Sequence, residues 1–427
     1  MAPQVTSAQP PIAAAHTADQ PWRPLLAWAL ASLFFCYAFV QRVSPSVMVA
    51  ELMRDFSASA AILGNLSAFY FYAYAALQIP VGLLMDRIGP RRLMTAAAAV
   101  AAAGSVLFAA SESITTAYLG RLLIGAGAAF SWVGVLTVLT QWFPAHRFAL
   151  FTGMAQAVGM AGAIFGQAPL AVSVEQVGWR STLLAVAAVG FAIAVGNWLV
   201  VRDKPKAAGP SEGVGACLKV LLRNRETWLN AVFGLAMTAP MLAFAALWAV
   251  PYLTTIHGID RAAAAGVVSF MFAGWAVGAP LMGWLSDRIG MRRPVMIFGA
   301  LVNVVTYLAV IQMPWLSLTA VSAIVFVHGM GAAAMVLGFA CAREHNPPQM
   351  SSTAMAIVNV AVIGSGALFQ PLVGLLLDFQ WDGALINGAR AYKPEAFRLA
   401  LSIISVAGIG GLCATLLMKE SLARRPA

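Results

Sequence analysis

Charge is what this sequence has least of. Only 10% of its 427 residues are Asp, Glu, Lys or Arg, 61% are hydrophobic, and the mean hydropathy is +0.81. A soluble domain carries about 25% charged residues, so this chain cannot build a water-exposed surface and its solvent must be lipid. Cysteine is scarce as well: Cys36, Cys217, Cys341 and Cys413 have no paired spacing, which excludes a disulfide framework and a zinc site and leaves small buried hydrophobes. No Walker A sequence, Gly-x-Ser-x-Gly elbow or His-Glu-x-x-His is present, so ATP-driven transport and intramembrane hydrolysis have no machinery. Without a nucleophile, base and orienting partner in sequence context, no enzyme, cofactor or metal is expected.

What the chain has instead is long apolar runs. In lipid the backbone must satisfy its own polar groups, which leaves helices or a closed barrel. Runs near 20 residues without period-2 alternation select helices, and the fold class is therefore all-α membrane protein. Twelve spans are expected, at about 24–50, 59–85, 92–110, 115–140, 148–172, 181–201, 226–254, 264–286, 294–312, 316–341, 351–377 and 397–418. They are called spans 1 to 12. A hydrophilic stretch divides them, giving a disordered N-terminus at 1–23, a six-helix bundle at 24–201, a linker at 202–225, a second bundle at 226–418 and a tail at 419–427. The N-terminus lacks the basic region and cleavage site of a signal peptide and is read as retained.

The two halves carry one motif each. Gly82-Leu-Leu-Met-Asp86-Arg87-Ile-Gly89-Pro-Arg91-Arg92 recurs 201 residues later as Gly283-Trp-Leu-Ser-Asp287-Arg288-Ile-Gly290-Met-Arg292-Arg293. A charged turn closing two membrane-length helices, repeated in the same orientation, indicates parallel halves of a transporter. If both termini and the linker share one face, that face holds 18 of the 26 Lys and Arg residues. The positive-inside rule then makes both termini cytoplasmic. The net charge of +10 reflects this topology and attraction to anionic headgroups, not nucleic-acid binding.

On these residues the chain resembles the major facilitator superfamily of secondary transporters, bacterial and twelve-helix, over essentially its whole length. Arg121-Leu-Leu-Ile-Gly125-Ala-Gly127 is similar to a second signature of that family, while the Gly-rich fifth span lacks the Gly-Pro pair of drug antiporters. The resemblance implies two pseudo-symmetric six-helix bundles, a central cavity lined by spans 1, 4, 7 and 10, and a gate favouring the outward-open state. Gly82, Asp86, Arg87, Gly89, Arg92, Asp287, Arg288 and Gly290 are its gating residues, with Arg121 bonded toward spans 1 and 2. The competing reading makes the basic residues topological anchors only.

Ionisable residues inside spans are few, and a charge at a helix centre costs about 2.5–3.5 kcal/mol on insertion scales, so each needs a cavity or a partner. Arg42 lies well inside span 1, beside a polar stripe of Tyr37, Gln41 and Ser44 at i, i+4, i+7 spacing. Its forked, non-titrating guanidinium suits a carboxylate or phosphate; the alternative is a structural pair with Glu51 or Asp55. Span 7 offers no second arginine at the repeat-equivalent stretch from Met241, which favours a singly charged solute. His328 in span 10 is either a proton carrier or a neutral ring in the packing. Tyr70, Tyr74, Gln156, Trp248 and Asn359 complete the expected binding set, with Gln167, Tyr252, Trp275 and Gln370 as further polar or aromatic lining.

The expectation is a monomeric secondary transporter in the bacterial inner membrane, a symporter in the first instance. It would move a small organic anion by alternating access, with protons and the bilayer as its other partners. The alternatives are a sensor that keeps the carrier fold without transporting, and an efflux antiporter of amphipathic compounds.

Overall fold

The computed structural model describes residues 22–203, 220–347 and 350–422. Among the described residues twelve helices are long and apolar enough to cross a membrane: Arg23–Val47, Ala60–Gln78, Pro90–Ala109, Ile114–Trp142, Leu150–Val177, Trp179–Val200, Arg225–His257, Arg261–Ile289, Arg293–Gln312, Leu318–Glu344, Thr353–Asp378 and Pro394–Leu417. They follow the apolar runs because each must hydrogen-bond its own backbone in lipid. Polar residues fix where several begin. Ser59, Ser113, Asp260 and Ser317 each accept a first-turn amide of the helix that follows, satisfying donors that would otherwise be orphaned. Residues 1–21 and most of the linker, 204–219, lie outside the described residues.

Four spans depart from simple helices, and one of them, span 5, breaks between Phe165 and Ala168. Span 1 tightens into a 3-10 turn over Ser44–Val47, where Pro45 cannot supply an amide to the preceding turn. Span 7 contains a nine-residue π-helix, Pro240–Trp248, and span 10 a 3-10 turn at Ala333–Met335. Span 7 is also the most enclosed, with 89% of its apolar core buried. Elsewhere one helix face packs inward while residues such as Val195, Phe298 and Val305 stay exposed, the surface expected to meet lipid.

The two six-helix halves touch chiefly through spans 2 and 11. Gly64 packs on the backbone of Gln370 and Pro371, and Gly374 packs on the carbonyl of Ala60; a Cβ at either glycine would collide, so the crossing requires small residues. Both contacts lie at the end remote from the charged turns. A two-stranded ribbon, Leu385–Ile386 paired with Ala389–Arg390, caps that end between spans 11 and 12. Its turn residues Asn387 and Gly388 both have positive φ, 50° and 81°, the geometry a tight two-residue hairpin demands.

Candidate functional site

A cavity of about 300 Å³ lies between the halves, lined from spans 1, 2, 4, 5, 7, 8, 10 and 11. Span 1 presents Phe35, Phe39 and Arg42 to it, residues one helical face apart at i, i+4 and i+7. Arg42 is 5% exposed. Its guanidinium carbon sits 4.3 Å from the Phe39 ring centre and 5.3 Å from that of Tyr74, and its Nε donates to the Tyr70 hydroxyl at 3.4 Å. Tyr70 in turn donates to the Ala38 carbonyl at 3.2 Å. Neither Glu51 nor Asp55 pairs with Arg42: Glu51 meets Arg261 at 2.6 Å and Asp55 meets Arg180 at 2.5 Å. Among the described residues Arg42 is the one charged group in the lining.

Of the other expected binding residues, Tyr74, Gln156, Asn359 and Trp275 line this cavity. Tyr37 and Gln41 do not. They lie on the other face of span 1, where Gln41 bonds both the Tyr37 hydroxyl and Ser105 of span 3, because a residue next to Arg42 is turned about 100° from it. Tyr70 stands behind Arg42, fully buried. His328 is also away from the cavity, packed against span 9 with its Nδ1 2.9 Å from the Thr306 hydroxyl. Phe35, Phe39, Trp132, Met160, Met335 and Phe339 line the cavity without having been singled out from sequence. The i, i+4, i+7 run of Phe35, Phe39 and Arg42 was the available signal.

Trp248 belongs to a second cavity of about 650 Å³ at the end remote from the charged turns, with Ser46, Arg54, Arg261, Arg390 and Tyr392 on its walls. A thin plug separates the two: Ser46 is one turn beyond Arg42. Gln167 donates to the Ala245 carbonyl at 3.2 Å, Gln370 to the Leu242 carbonyl at 2.7 Å, and Trp248 to the Gln370 carbonyl at 3.0 Å. Both amides thus clamp carbonyls of the π-helix. Arg261 crosses from the second half to the Val47 carbonyl at 3.0 Å and to Glu51. Among the described residues, the only bond between halves nearer the charged turns is Asn359 to Gln78, 2.6 Å.

At the charged turns each half is tied to itself. Gly89, with φ 92°, packs against the Asp203 carboxylate, which accepts the Arg91 amide at 2.8 Å; that φ is open to glycine and costly for other residues. In the second half Arg292 spans Asp287 at 2.6 Å and Glu344 at 3.1 Å, and Glu420 accepts the amides of Arg292 and Arg293. Burial pushes the Glu420 carboxyl up, but the amides of Arg292, Leu422, Arg293 and Ser421 outweigh it and hold its pKa below the ordinary value. Arg87 and Arg92 are exposed, Arg288 lies over Trp284, Gly290 has φ 70°, and Gly82 faces open space. The Asp86 side chain lies outside the described residues. Arg121 is fully buried in span 4 and donates to the carbonyls of Gln41 in span 1 at 2.8 Å and Ser67 in span 2 at 3.2 Å.

Two six-helix halves embedded in lipid around an inner cavity define a multi-pass membrane carrier rather than an enzyme. The sequence profile of the Major Facilitator Superfamily matches residues 30–251 and 232–425, and the chain belongs to that superfamily. It is similar to the gentisate transporter of Corynebacterium glutamicum, 24% identical over 368 residues covering 83% of this chain and 81% of that one. It also resembles the inner membrane transport protein YajR of Escherichia coli, 30% identical over 209 residues covering 48% and 45%. Several curated relatives align over only part of their own length, 43% for one from Agrobacterium vitis and 65% for one from Bacillus subtilis. Among solved structures, a bacterial homologue of the human lysosomal transporter Spinster superposes with a TM-score of 0.75 at 18% identity, covering 93% of this chain and 97% of that one. The shared property at that identity is the fold.

Proposed function

We propose that the protein carries a small organic anion across the bacterial plasma membrane by alternating access, with Arg42 as the anion contact. The carrying observation is the isolation of Arg42: it lines the central cavity, and no described carboxylate pairs with it. A guanidinium buried among aromatic rings without a counterion is costly, and a carboxylate solute supplies one. The relative named as a gentisate transporter supports an organic acid. With the halves bonded at the end remote from the charged turns and both termini cytoplasmic, the conformation is inward-facing. Rocking the halves about the cavity would open the plug at Gln167, Trp248 and Gln370 and bring the charged turns together. The gating roles of Gly82, Asp86, Arg87, Gly89, Arg92, Asp287, Arg288 and Gly290 belong to that opposite state.

The described lining contains no Asp, Glu or His, so on this reading no carboxylate or imidazole of the cavity takes up a coupled proton, and the anion is carried as a carboxylate paired with Arg42. Counterflow of labelled organic acids into proteoliposomes tests the proposal. Exchange should fall more than tenfold in Arg42→Ala and partly recover in Arg42→Lys, which keeps the charge and loses the fork. Unchanged exchange in Arg42→Ala would refute the anion site, and saturable binding without exchange would refute transport.

A further inference from the structure

The geometry points to a hydroxylated aromatic monocarboxylate as the solute of the central cavity, an inference that rests on the anion-carrier reading and narrows it. The polar groups left over in the lining define the ligand. Thr238 donates to the Gly234 carbonyl at 2.7 Å, and the Asn359 amide nitrogen is engaged by Gln78 at 2.6 Å. Two further groups can meet a solute: the guanidinium of Arg42, which no described carboxylate pairs with, and the buried side-chain oxygen of Gln156, which has no partner.

Arg42 matches one carboxylate. A second carboxylate would enter an apolar space with no cation besides Arg42 among the described lining residues, which disfavours dicarboxylates and sugar diacids. An amine would face Arg42 with no acid to receive it. Gln156 calls for one further polar group, and a hydroxyl, which both donates and accepts, satisfies either end of its amide.

The remaining walls select the shape between those two points. Phe35, Phe39 and Trp132 form one contiguous aromatic surface beside Arg42, with Phe35 to Phe39 at 5.0 Å and Phe35 to Trp132 at 4.8 Å between ring centres. Tyr74, Trp275 and Phe339 line other parts of the cavity. Flat rings prefer to meet such surfaces stacked or edge-on, a gain beyond burial that an aliphatic ring cannot make. The volume of about 300 Å³ is at the lower end of small-molecule sites, room for one substituted ring rather than a larger amphipathic compound.

The test compares four probes on the purified full chain in detergent, by calorimetric titration and thermal shift: 3-hydroxybenzoate, benzoate, cyclohexanecarboxylate and succinate. Benzoate should bind about two- to tenfold tighter than cyclohexanecarboxylate, which has the same charge and bulk without a π face. The hydroxylated acid should bind tighter again, and succinate weakest. Trp132→Leu should erase the preference for benzoate over cyclohexanecarboxylate, and Gln156→Leu the preference for the hydroxyl. The wild-type series decides the matter even if a variant does not fold. Equal binding of benzoate and cyclohexanecarboxylate, both lost in Arg42→Ala, overturns the aromatic assignment and leaves the anion site standing. Binding that is indifferent to Arg42, or absent for all four acids, overturns the anion reading itself.

Discussion

Asp378, at the end of span 11, caps span 2 from across the interface between halves: its carboxylate accepts the amides of Ala60 at 3.1 Å and Ala61 at 2.8 Å. Tyr392 and Arg390 hold the carboxylate in place at 2.6 and 3.3 Å. A negative group at a helix N-terminus satisfies orphan donors and complements the helix dipole. This cap exists only while the two halves are together at that end. Replacing Asp378 with Ala removes about 1 kcal/mol from the joined state, raising the population open at that end about fivefold. Spin-label distances across the ends of spans 2 and 11 should report the longer population; an unchanged distribution would show the cap to be passive.

Arg261 makes the second tie, reaching Glu51, the Val47 carbonyl and, at 4.0 Å, Glu175. The Arg261 and Glu51 side chains are 23% and 18% exposed, so screening keeps the pair's coupling near about 1 kcal/mol. Arg261→Gln and Glu51→Gln should each speed labelling of Thr254→Cys in the larger cavity by an impermeant thiol reagent. The double variant should add little to either single one. Fully additive effects would mean that the two residues act separately.

Hydropathy made the twelve spans legible, because membrane insertion is decided locally, run by run, and Arg42 stood out as a cation in an apolar run. The face of span 1 that turns to the cavity did not. Tyr37, Gln41 and Ser44 have the same helical spacing as Phe35, Phe39 and Arg42, and only the neighbours choose between them: Ser105 of span 3 takes the amide, leaving the aromatic face to the cavity. Trp248 likewise fell in the larger cavity because Gln370 draws its indole to span 11. The partners of Glu51 and Asp378 in the opposite half, Arg261 and the amides of Ala60 and Ala61, are more than 200 residues away and sit at loop ends without periodicity, so no local pattern announces them. The Asn387-Gly388 hairpin was readable from its dipeptide, yet lay in a loop that the hydropathy pattern passes over.

Arg121 carries the first half's interior. Its two terminal nitrogens bond carbonyls on two different spans while its Nε is unpartnered, and the Tyr70 ring lies 5.2 Å from the guanidinium carbon. Loss of the side chain removes two hydrogen bonds from a charged donor, about 1.5–3 kcal/mol each, although the Ser44 hydroxyl still donates to the Gln41 carbonyl at 3.1 Å. Arg121→Ala should therefore lower the melting temperature in detergent strongly. Arg121→Lys should recover only part, since an ammonium lacks the planar fork that reaches both carbonyls. A variant as stable as the parent, with transport lost, would instead assign Arg121 to coupling.

Asp55 gives the fold a pH-dependent element outside the spans. Burial pushes its carboxyl up, but donors from Trp179 at 2.9 Å, Arg180 at 2.5 Å and Arg54 outweigh it and hold the pKa below the ordinary carboxylate value. A carboxyl whose folded pKa is depressed contributes stability above its unfolded pKa of about 3.9, and that contribution is lost as pH falls through the lower folded value. Wild-type protein should thus melt higher than Asp55→Asn by a constant margin above about pH 5, with the margin shrinking on acidification and vanishing once Asp55 is protonated in the folded state. A margin that persisted in acid would mean that Asp55 acts through packing, and one that grew in acid would reverse the sign of the linkage.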